Sequence, residues 1–272
     1  MASQQLFPTS ISPRTSGSGP GSAERPALAA ALSHKIVTHA SVPPSSREQY
    51  HTLAAMLHNA QARDGVKTIL ITSAVAGEGK TLTAANLALT FSEAWQRRVL
   101  LIDADLRRPS LHRLFRLQEL AGLRGEMTLP LLRPGSHVRQ VTPRLGILTT
   151  GRPSATPMAE LTSDRMRYVV DEARQAYDWI ILDTPPLTLL ADASLLVSMV
   201  DRALLVVKAQ STSLDQARRA LQAIGKAKTL GVVLNASKQT PHLRDEDLEY
   251  YSHVLPAGGR DARDARDEEM AR

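Results

Sequence analysis

The stretch Ser73 to Thr81, SAVAGEGKT, constrains this chain more than any other. It follows the apolar run TILIT directly and leads directly into a helical pattern, so strand, Gly-rich turn and helix are joined without a linker. Backbone N–H groups of such a turn and of the helix N-terminus converge, and that convergence holds phosphate oxygens. Lys80 adds a point charge and Thr81 a hydroxyl directed at magnesium. The usual first glycine is Ala74 here, while Gly77 and Gly79 remain. The expected phosphate cradle is Ala76, Gly77, Glu78, Gly79, Lys80, Thr81 and Leu82, against the alternative of a chance Gly-rich turn.

A phosphate loop needs a sheet to support it, and the remaining pattern supplies one. Apolar segments at 68–72, 99–103, 146–150, 179–183, 203–208 and 231–235 read as nearly continuous Val, Ile and Leu. Strands buried on both faces look like this. They alternate with amphipathic helices, which predicts an α/β fold: a doubly wound, mostly parallel sheet with helices on both faces. The first helix is expected over 45–63, with Ser45 and Glu48 spaced as a capping box and Leu53, Leu57 and Ala60 at helical intervals. Between the last two strands Leu214, Ala217, Leu221 and Ile224 form a stripe, with Arg218 and Arg219 turned away. Residues 1–45, rich in Ser, Pro, Gly and Ala, read as a disordered arm, 46–236 as the folded domain, and 237–272 as a charged tail that is flexible or a frayed helix.

Bulk properties exclude several classes. A chain of 272 residues holds one α/β domain with tails. The absence of cysteine rules out a disulfide scaffold, a thiolate metal site and a cysteine nucleophile, and it fits a cytosolic protein. The opening MASQQLFPTS lacks a basic start and an apolar stretch of signal-peptide length, so secretion is not expected. The early apolar run 27–32 is far short of the ~20 residues that span a bilayer, so any membrane association would be peripheral. The net charge of +6 is spread along the chain, as solvated faces are, and no nucleic-acid partner is expected.

Acidic partners for a bound metal come from two further strand ends. LLIDADLRRP places Asp103 and Asp105 after the second strand, and WIILDTPP places Asp183 after a later one. Carboxylates at strand C-termini face the crevice where open α/β sheets bind ligands. A lone Asp there reads as a turn or helix cap. Three of them beside a phosphate loop read as a site, with Asp183 reaching magnesium directly or through water.

Together SAVAGEGKT, LLIDADLRRP and WIILDTPP resemble the Walker A, A′ and B motifs of the bacterial tyrosine kinase family, the cytosolic kinases of capsule and exopolysaccharide systems. GRPSATPMAELTSDRM at 151–166 is similar to the segment between A′ and B, and GVVLNA at 231–236 to the closing strand. The resemblance spans about residues 46–236. It implies a P-loop NTPase fold of the MinD-like type, ATP and Mg2+ as cofactors, and autophosphorylation on tyrosine. It implies Lys80, Asp103 and Asp105 as catalytic, with Asp103 the general base, and Thr81, Asp105 and Asp183 as the magnesium-linked set. The division between Asp103 and Asp105 stays open, and Arg107 is either a phosphate partner or a structural ion pair. The related partitioning and site-selection ATPases carry an extra lysine early in the loop, where this chain has Val75. A regulatory ATPase, or a nucleotide-dependent switch, is the alternative.

The resemblance also implies tyrosine acceptors in the tail, here Tyr250 and Tyr251 behind Asp245, Glu246, Asp247 and Glu249. The other reading is that LEYYSHVL is a short amphipathic helix. Tyr168 and Tyr177 read as packing residues, and Tyr50 is open. The family's ring-forming Glu-x-x-Arg-x-x-Arg pattern appears as Glu48, His51 and Ala54. By the same resemblance, a homo-oligomer is expected, with a transmembrane polysaccharide chain-length regulator as activating partner. The chain would be cytoplasmic and held at the inner membrane face by that partner.

Overall fold

The computed structural model describes residues 35–118, 122–128, 135–187 and 195–237. A first compact unit ends at Asn235, and the features below belong to it. Its elements are α1 (Pro44–Asp64), β1 (Thr68–Ser73), α2 (Lys80–Leu89), β2 (Val99–Asp103), α3 (Leu111–Leu114), α4 (Gly122–Thr128), β3 (Arg139–Thr142), β4 (Leu145–Leu148), α5 (Pro157–Leu161), α6 (Asp164–Ala176), β5 (Trp179–Asp183), β6 (Arg202–Lys208), α7 (Leu214–Ile224) and β7 (Thr229–Asn235). The strands form one seven-stranded sheet in the order β3-β4-β2-β5-β1-β6-β7. All neighbours pair in parallel except β3 with β4.

Each residue of β1, β2 and β5 is buried, as their unbroken apolar composition requires. Alternate side chains feed two core layers. Ala54 and Leu57 of α1 and Ala84 and Leu87 of α2 pack with Ile69, Ile71, Leu101 and Ile181. Met166, Val169 and Ala173 of α6 and Ala220 and Ile224 of α7 pack with Leu70, Leu100, Ile180 and Leu205. Phe91 stacks on Trp179 at 4.6 Å between ring centres. The doubly wound expectation holds, with helices on both faces.

Two local expectations need correction, and one strand is unexpected. The edge strand β3, with two exposed and two half-buried residues, has no apolar pattern to betray it. No side chain caps α1: the helix begins at Pro44, whose ring presets the first helical φ, so Ser45 lies inside it and no capping box forms. The capping box occurs at Ser213 and Gln216, where both reciprocal hydrogen bonds are made. Order also begins before residue 45. Ile36, Val37 and Val42 are buried, and Val37 donates its N–H to Asn86 Oδ1 at 3.0 Å while Arg47 Nε donates to the Val37 carbonyl at 2.9 Å. A few apolar residues suffice to anchor this stretch, although small and polar neighbours dominate its composition.

At the N-terminal ends of the strands, carboxylates tie the sheet to its helices. Asp201 Oδ2 accepts the N–H groups of Lys67 and Thr68, each at 2.8 Å, and Arg174 of α6 grips the same carboxylate at 3.0 and 3.1 Å. Burial pushes the Asp201 carboxyl up, but Arg174 and the two N–H groups outweigh it and hold the carboxyl below its usual range. A depressed pKa stabilises the fold above the unfolded value and loses that contribution as pH falls through the folded one. Asp201→Asn should therefore lower stability at neutral pH by about 1–2 kcal/mol, measured by urea unfolding. The deficit should start to shrink below about pH 4, the unfolded value, and vanish only as pH falls through the lower folded value, where the wild-type carboxylate is protonated too. An equal deficit at every pH would assign the loss to packing alone.

Candidate active site

Where β1 ends, the chain must turn sharply to start α2, and the turn is built on two left-handed glycines. Gly77 has φ +83° and Gly79 +90°. Close approach adds to the requirement at Gly79, because a Cβ there would lie 2.1 Å from Asn235 Nδ2. That amide reaches across from the end of β7 to donate to the Glu78 carbonyl at 2.8 Å. Glu78 itself is buried. Its carboxylate accepts the Val75 N–H at 2.7 Å, the Lys208 N–H at 3.2 Å and the Thr212 hydroxyl. The Glu78 side chain thus fastens the loop to the end of β6, leaving only its main chain for a phosphate role. Gly79 caps α2 with no side chain, so the first N–H groups of the helix have no side-chain cap to compete with an anion.

The three acids predicted from strand ends do converge. Asp103 of β2 and Asp183 of β5 are register partners, and the carbonyl of Asp183 accepts the Ala104 N–H at 2.8 Å. Thr81 donates its hydroxyl to Asp183 Oδ2 at 2.6 Å and touches Ser110 Oγ at 3.2 Å. Lys80 Nζ lies 3.4 Å from Asp105 Oδ2, 3.5 Å from Asp183 Oδ1 and 3.3 Å from Thr81 Oγ1. One ammonium therefore serves several carboxylates in a nearly dry setting.

Asp103 has a second occupation. Its Oδ2 accepts the N–H groups of Ser110 and Leu111, each at 2.9 Å, and its Oδ1 that of Asp105 at 3.3 Å. It so caps α3, whose own N-cap Ser110 makes no side-chain capping bond. Asp105 Oδ1 accepts the Arg108 N–H at 3.0 Å. Sequence reasoning missed Ser110, Asn235 and Thr212, because each is an ordinary polar residue on its own segment and acquires its role only across the sheet.

Burial pushes the Asp183 carboxyl up to about 7, helped by the neighbouring charges of Asp103 and Asp105 and opposed by Lys80 and the Thr81 hydrogen bond. Burial likewise raises Asp103, against the pull of its backbone N–H partners. Lys80 would be lowered by its own desolvation, but Asp183, Asp105 and Asp103 hold it above its usual value.

The donor set fits magnesium brought in with a nucleotide. Among the described residues no group of three His, Cys, Asp or Glu side chains encloses a metal position. Asp183, Asp105 and the Thr81 hydroxyl supply a few oxygens on one side. A small octahedral cation bound through one or two carboxylates, substrate phosphates and water needs no more than that.

Other expected residues fall as follows. Tyr177 is buried in the core, which pushes its phenol up to about 12. Tyr168 lies under the Arg165 guanidinium, 5.0 Å from ring centre to carbon. Burial raises the Tyr50 phenol, which bonds to Asn86 and Thr83. Tyr250 and Tyr251 lie outside the described residues. In α1, Ala54 is wholly buried against α2, and His51 lines a cavity with Arg47, Leu89 and Glu93.

A carboxyl with a raised pKa is a liability to the fold once ionised: its stabilising contribution is complete below the unfolded pKa near 4 and is lost as pH rises through about 7. Metal-free Asp183→Asn protein should therefore melt close to wild type at pH 5 and above it at pH 8, and magnesium with ADP should reverse the order at pH 8. Parallel melting curves for the two proteins across this range would contradict the burial argument.

Comparison with known proteins agrees with this geometry. A family model described as ParA, NUBPL iron-transfer P-loop NTPase, matches residues 65–259. The tyrosine-protein kinase YwqD of Bacillus subtilis is 39% identical over 201 residues, covering 72% of this chain and 83% of that protein. The tyrosine-protein kinase CpsD of Streptococcus pneumoniae is 32% identical over 193 residues, covering 69% and 83%. The solved kinase domain of the Escherichia coli tyrosine kinase ETK superposes with a TM-score of 0.65 at 26% identity, covering 71% of this chain and 78% of that one. With its phosphate loop, paired A′ aspartates and Asp183 brought to one point, this chain belongs to the bacterial tyrosine kinase family of P-loop NTPases.

Proposed function

We propose that the protein is an ATP- and magnesium-dependent protein-tyrosine autokinase acting in capsule or exopolysaccharide biosynthesis. The observation that carries this reading is the convergence of Lys80, Thr81, Asp105 and Asp183 at the mouth of the turn, with Asp103 in register beside them. The turn's N–H groups and Lys80 hold the phosphates and offset the charge that develops on them. Bound magnesium supplies further neutralisation at the phosphate oxygens. Thr81, Asp105 and Asp183 would hold it.

Asp103 is assigned as general base. Its burial raises its affinity for a proton, and its three backbone N–H partners hold its carboxylate in place. The acceptors are assigned to Tyr250 and Tyr251 on a second copy, since Tyr50, Tyr168 and Tyr177 are each engaged by the body. A transmembrane chain-length regulator is the proposed activator and would place the chain at the inner membrane face. No helix among the described residues is long and apolar enough to cross a membrane.

One observation favours a second reading, a nucleotide switch without protein phosphorylation. His51 and Ala54 stand where the family's ring-forming arginines would be, and Ala54 is turned wholly into the core. A kinase that phosphorylates its neighbours needs contacts with them. Incubation with ATP and magnesium, with and without the cytosolic segment of a chain-length regulator, followed by phosphotyrosine mapping, separates the two readings.

Lys80→Ala should reduce phosphotransfer ~10²-fold or more, measured by phosphotyrosine appearance. Circular dichroism checks that the variant is folded, and near-normal transfer by a folded variant would remove the proposed site. Tyr250→Phe together with Tyr251→Phe should abolish most phosphotyrosine on the chain while sparing an added tyrosine peptide. Strong residual labelling would move the acceptor elsewhere, with Tyr50 the first position to test.

A further inference from the structure

The turn after β2 and the turn after β4 are laced into one rim beside the phosphate site. Ser154 donates its N–H to the Leu106 carbonyl at 2.8 Å, and Thr150 its hydroxyl to the Asp103 carbonyl at 2.7 Å. Arg124, paired with Glu160 at 2.9 Å, donates to the carbonyls of Arg152 and Pro153, each at 3.2 Å, and stiffens the second turn. Five arginines on these segments are exposed: Arg107, Arg108, Arg113, Arg116 and Arg152. Within 104–118 and 149–157 the one carboxylate is Asp105, which is 5% exposed and faces Lys80. A single surface arginine is commonplace. Five on the two braced turns and around the short helix α3, with no exposed carboxylate among them, form a surface that attracts anions.

The chain carries a matching segment. Asp245, Glu246, Asp247 and Glu249 precede Tyr250 and Tyr251, so four of the five residues before the tyrosine pair are acidic. In an extended peptide these acids lie within roughly 17 Å of Tyr250, close enough for the rim to engage them while the phenol reaches the site.

We propose that the arginine rim selects tyrosine substrates by acidic residues on the N-terminal side of the acceptor, and that its substrate is segment 244–255 of a second copy. This rests on the kinase reading. The transfer breaks the bond from the γ-phosphorus of ATP to its bridging oxygen and forms one to the phenolic oxygen. ADP leaves, and the phenolic proton passes to a carboxylate of the site.

The test uses the full chain with two synthetic peptides, 244–255 as it stands and the same peptide with Asp245→Asn, Glu246→Gln, Asp247→Asn and Glu249→Gln. Peptide phosphotyrosine is followed by mass spectrometry. At low salt the acidic peptide should show a kcat/KM about tenfold above the amide-substituted one, a gap that narrows as salt screens it. In the variant Arg108→Gln with Arg152→Gln the ratio should fall toward one, and Arg108→Lys with Arg152→Lys should restore most of it. Equal use of both peptides by the wild type overturns the proposal and leaves the kinase reading standing. If neither peptide is phosphorylated, even with the cytosolic segment of a chain-length regulator added, the kinase reading fails and fluorescence anisotropy of the labelled peptides decides. Salt-sensitive preference for the acidic peptide, lost in the glutamine variant, keeps the rim as an acidic-peptide site, and no preference overturns it. A single-stranded oligonucleotide of equal charge that competes more strongly than the acidic peptide also overturns it, assigning the rim to nucleic acid.

Discussion

One ammonium group among buried carboxylates organises this protein. Lys80 lies between Asp105 and Asp183, with Asp103 close enough to raise its affinity for its proton. Several acids brought together at strand ends would repel one another in a setting with little water to screen them. The lysine relieves that repulsion, and the Asp183 carboxyl still rises to about 7. The residues that suit the site to a phosphate and a cation are thus the ones the fold holds at a disadvantage. A nucleotide with its metal would supply the missing positive charge and release the lysine toward the phosphates.

Such an arrangement requires rigidity elsewhere, and the hydrogen bonds place it at the opposite ends of the strands. Asp201 clamps the entry to β1 against α6, and Asp178 accepts the Arg98 N–H at 2.8 Å while pairing with its guanidinium at 2.9 Å before β2. These carboxylates are satisfied by cations and backbone donors together, so they stabilise without burying net charge. At the functional end Glu78 is held differently, by two backbone N–H groups and the Thr212 hydroxyl. Its carboxylate fastens the phosphate turn to β6, and Asn235 fastens it to β7, so two strands that contribute no acid to the site still fix the turn.

Much of this was legible from sequence because local pattern and global architecture coincide. An apolar run of five or six residues between a helix and a turn can hardly be anything but a buried parallel strand, and Val99–Asp103 and Trp179–Asp183 are observed at the expected bounds. The acids at their ends follow by register alone. What escaped is of two kinds. β3 lies at a sheet edge with its side chains exposed or only half-buried, so burial imposed no clear pattern on it. Ser110, Thr212 and Asn235 act across the sheet, on partners 29 to 157 positions away in sequence. No window of local sequence contains such pairs. The α1 cap failed for a subtler reason: two valid helix-start signals lay side by side, and the fixed φ of Pro44 won over the hydroxyl of Ser45.

The tyrosines show how the fold narrows a chemical question. Phosphorylation on tyrosine needs a phenol that can approach the γ-phosphate and give up its proton. Tyr177 is packed in the layer between α6 and the sheet, where burial holds its proton firmly. Tyr168 is covered by Arg165, and Tyr50 is partly buried on α1 with bonds to α2. Presenting any of the three would cost packing or hydrogen bonds. On the kinase reading the acceptor must therefore come from a segment outside the packed body. That segment must also compete for a crevice whose rim is arginine-rich, and a phenol preceded by carboxylates is suited to do so. The same acidic residues would be repelled by Asp105 and Asp183 while Lys80 is their main counter-charge, and admitted once the metal and nucleotide are in place. Electrostatics alone would then order the events, nucleotide first and acceptor second.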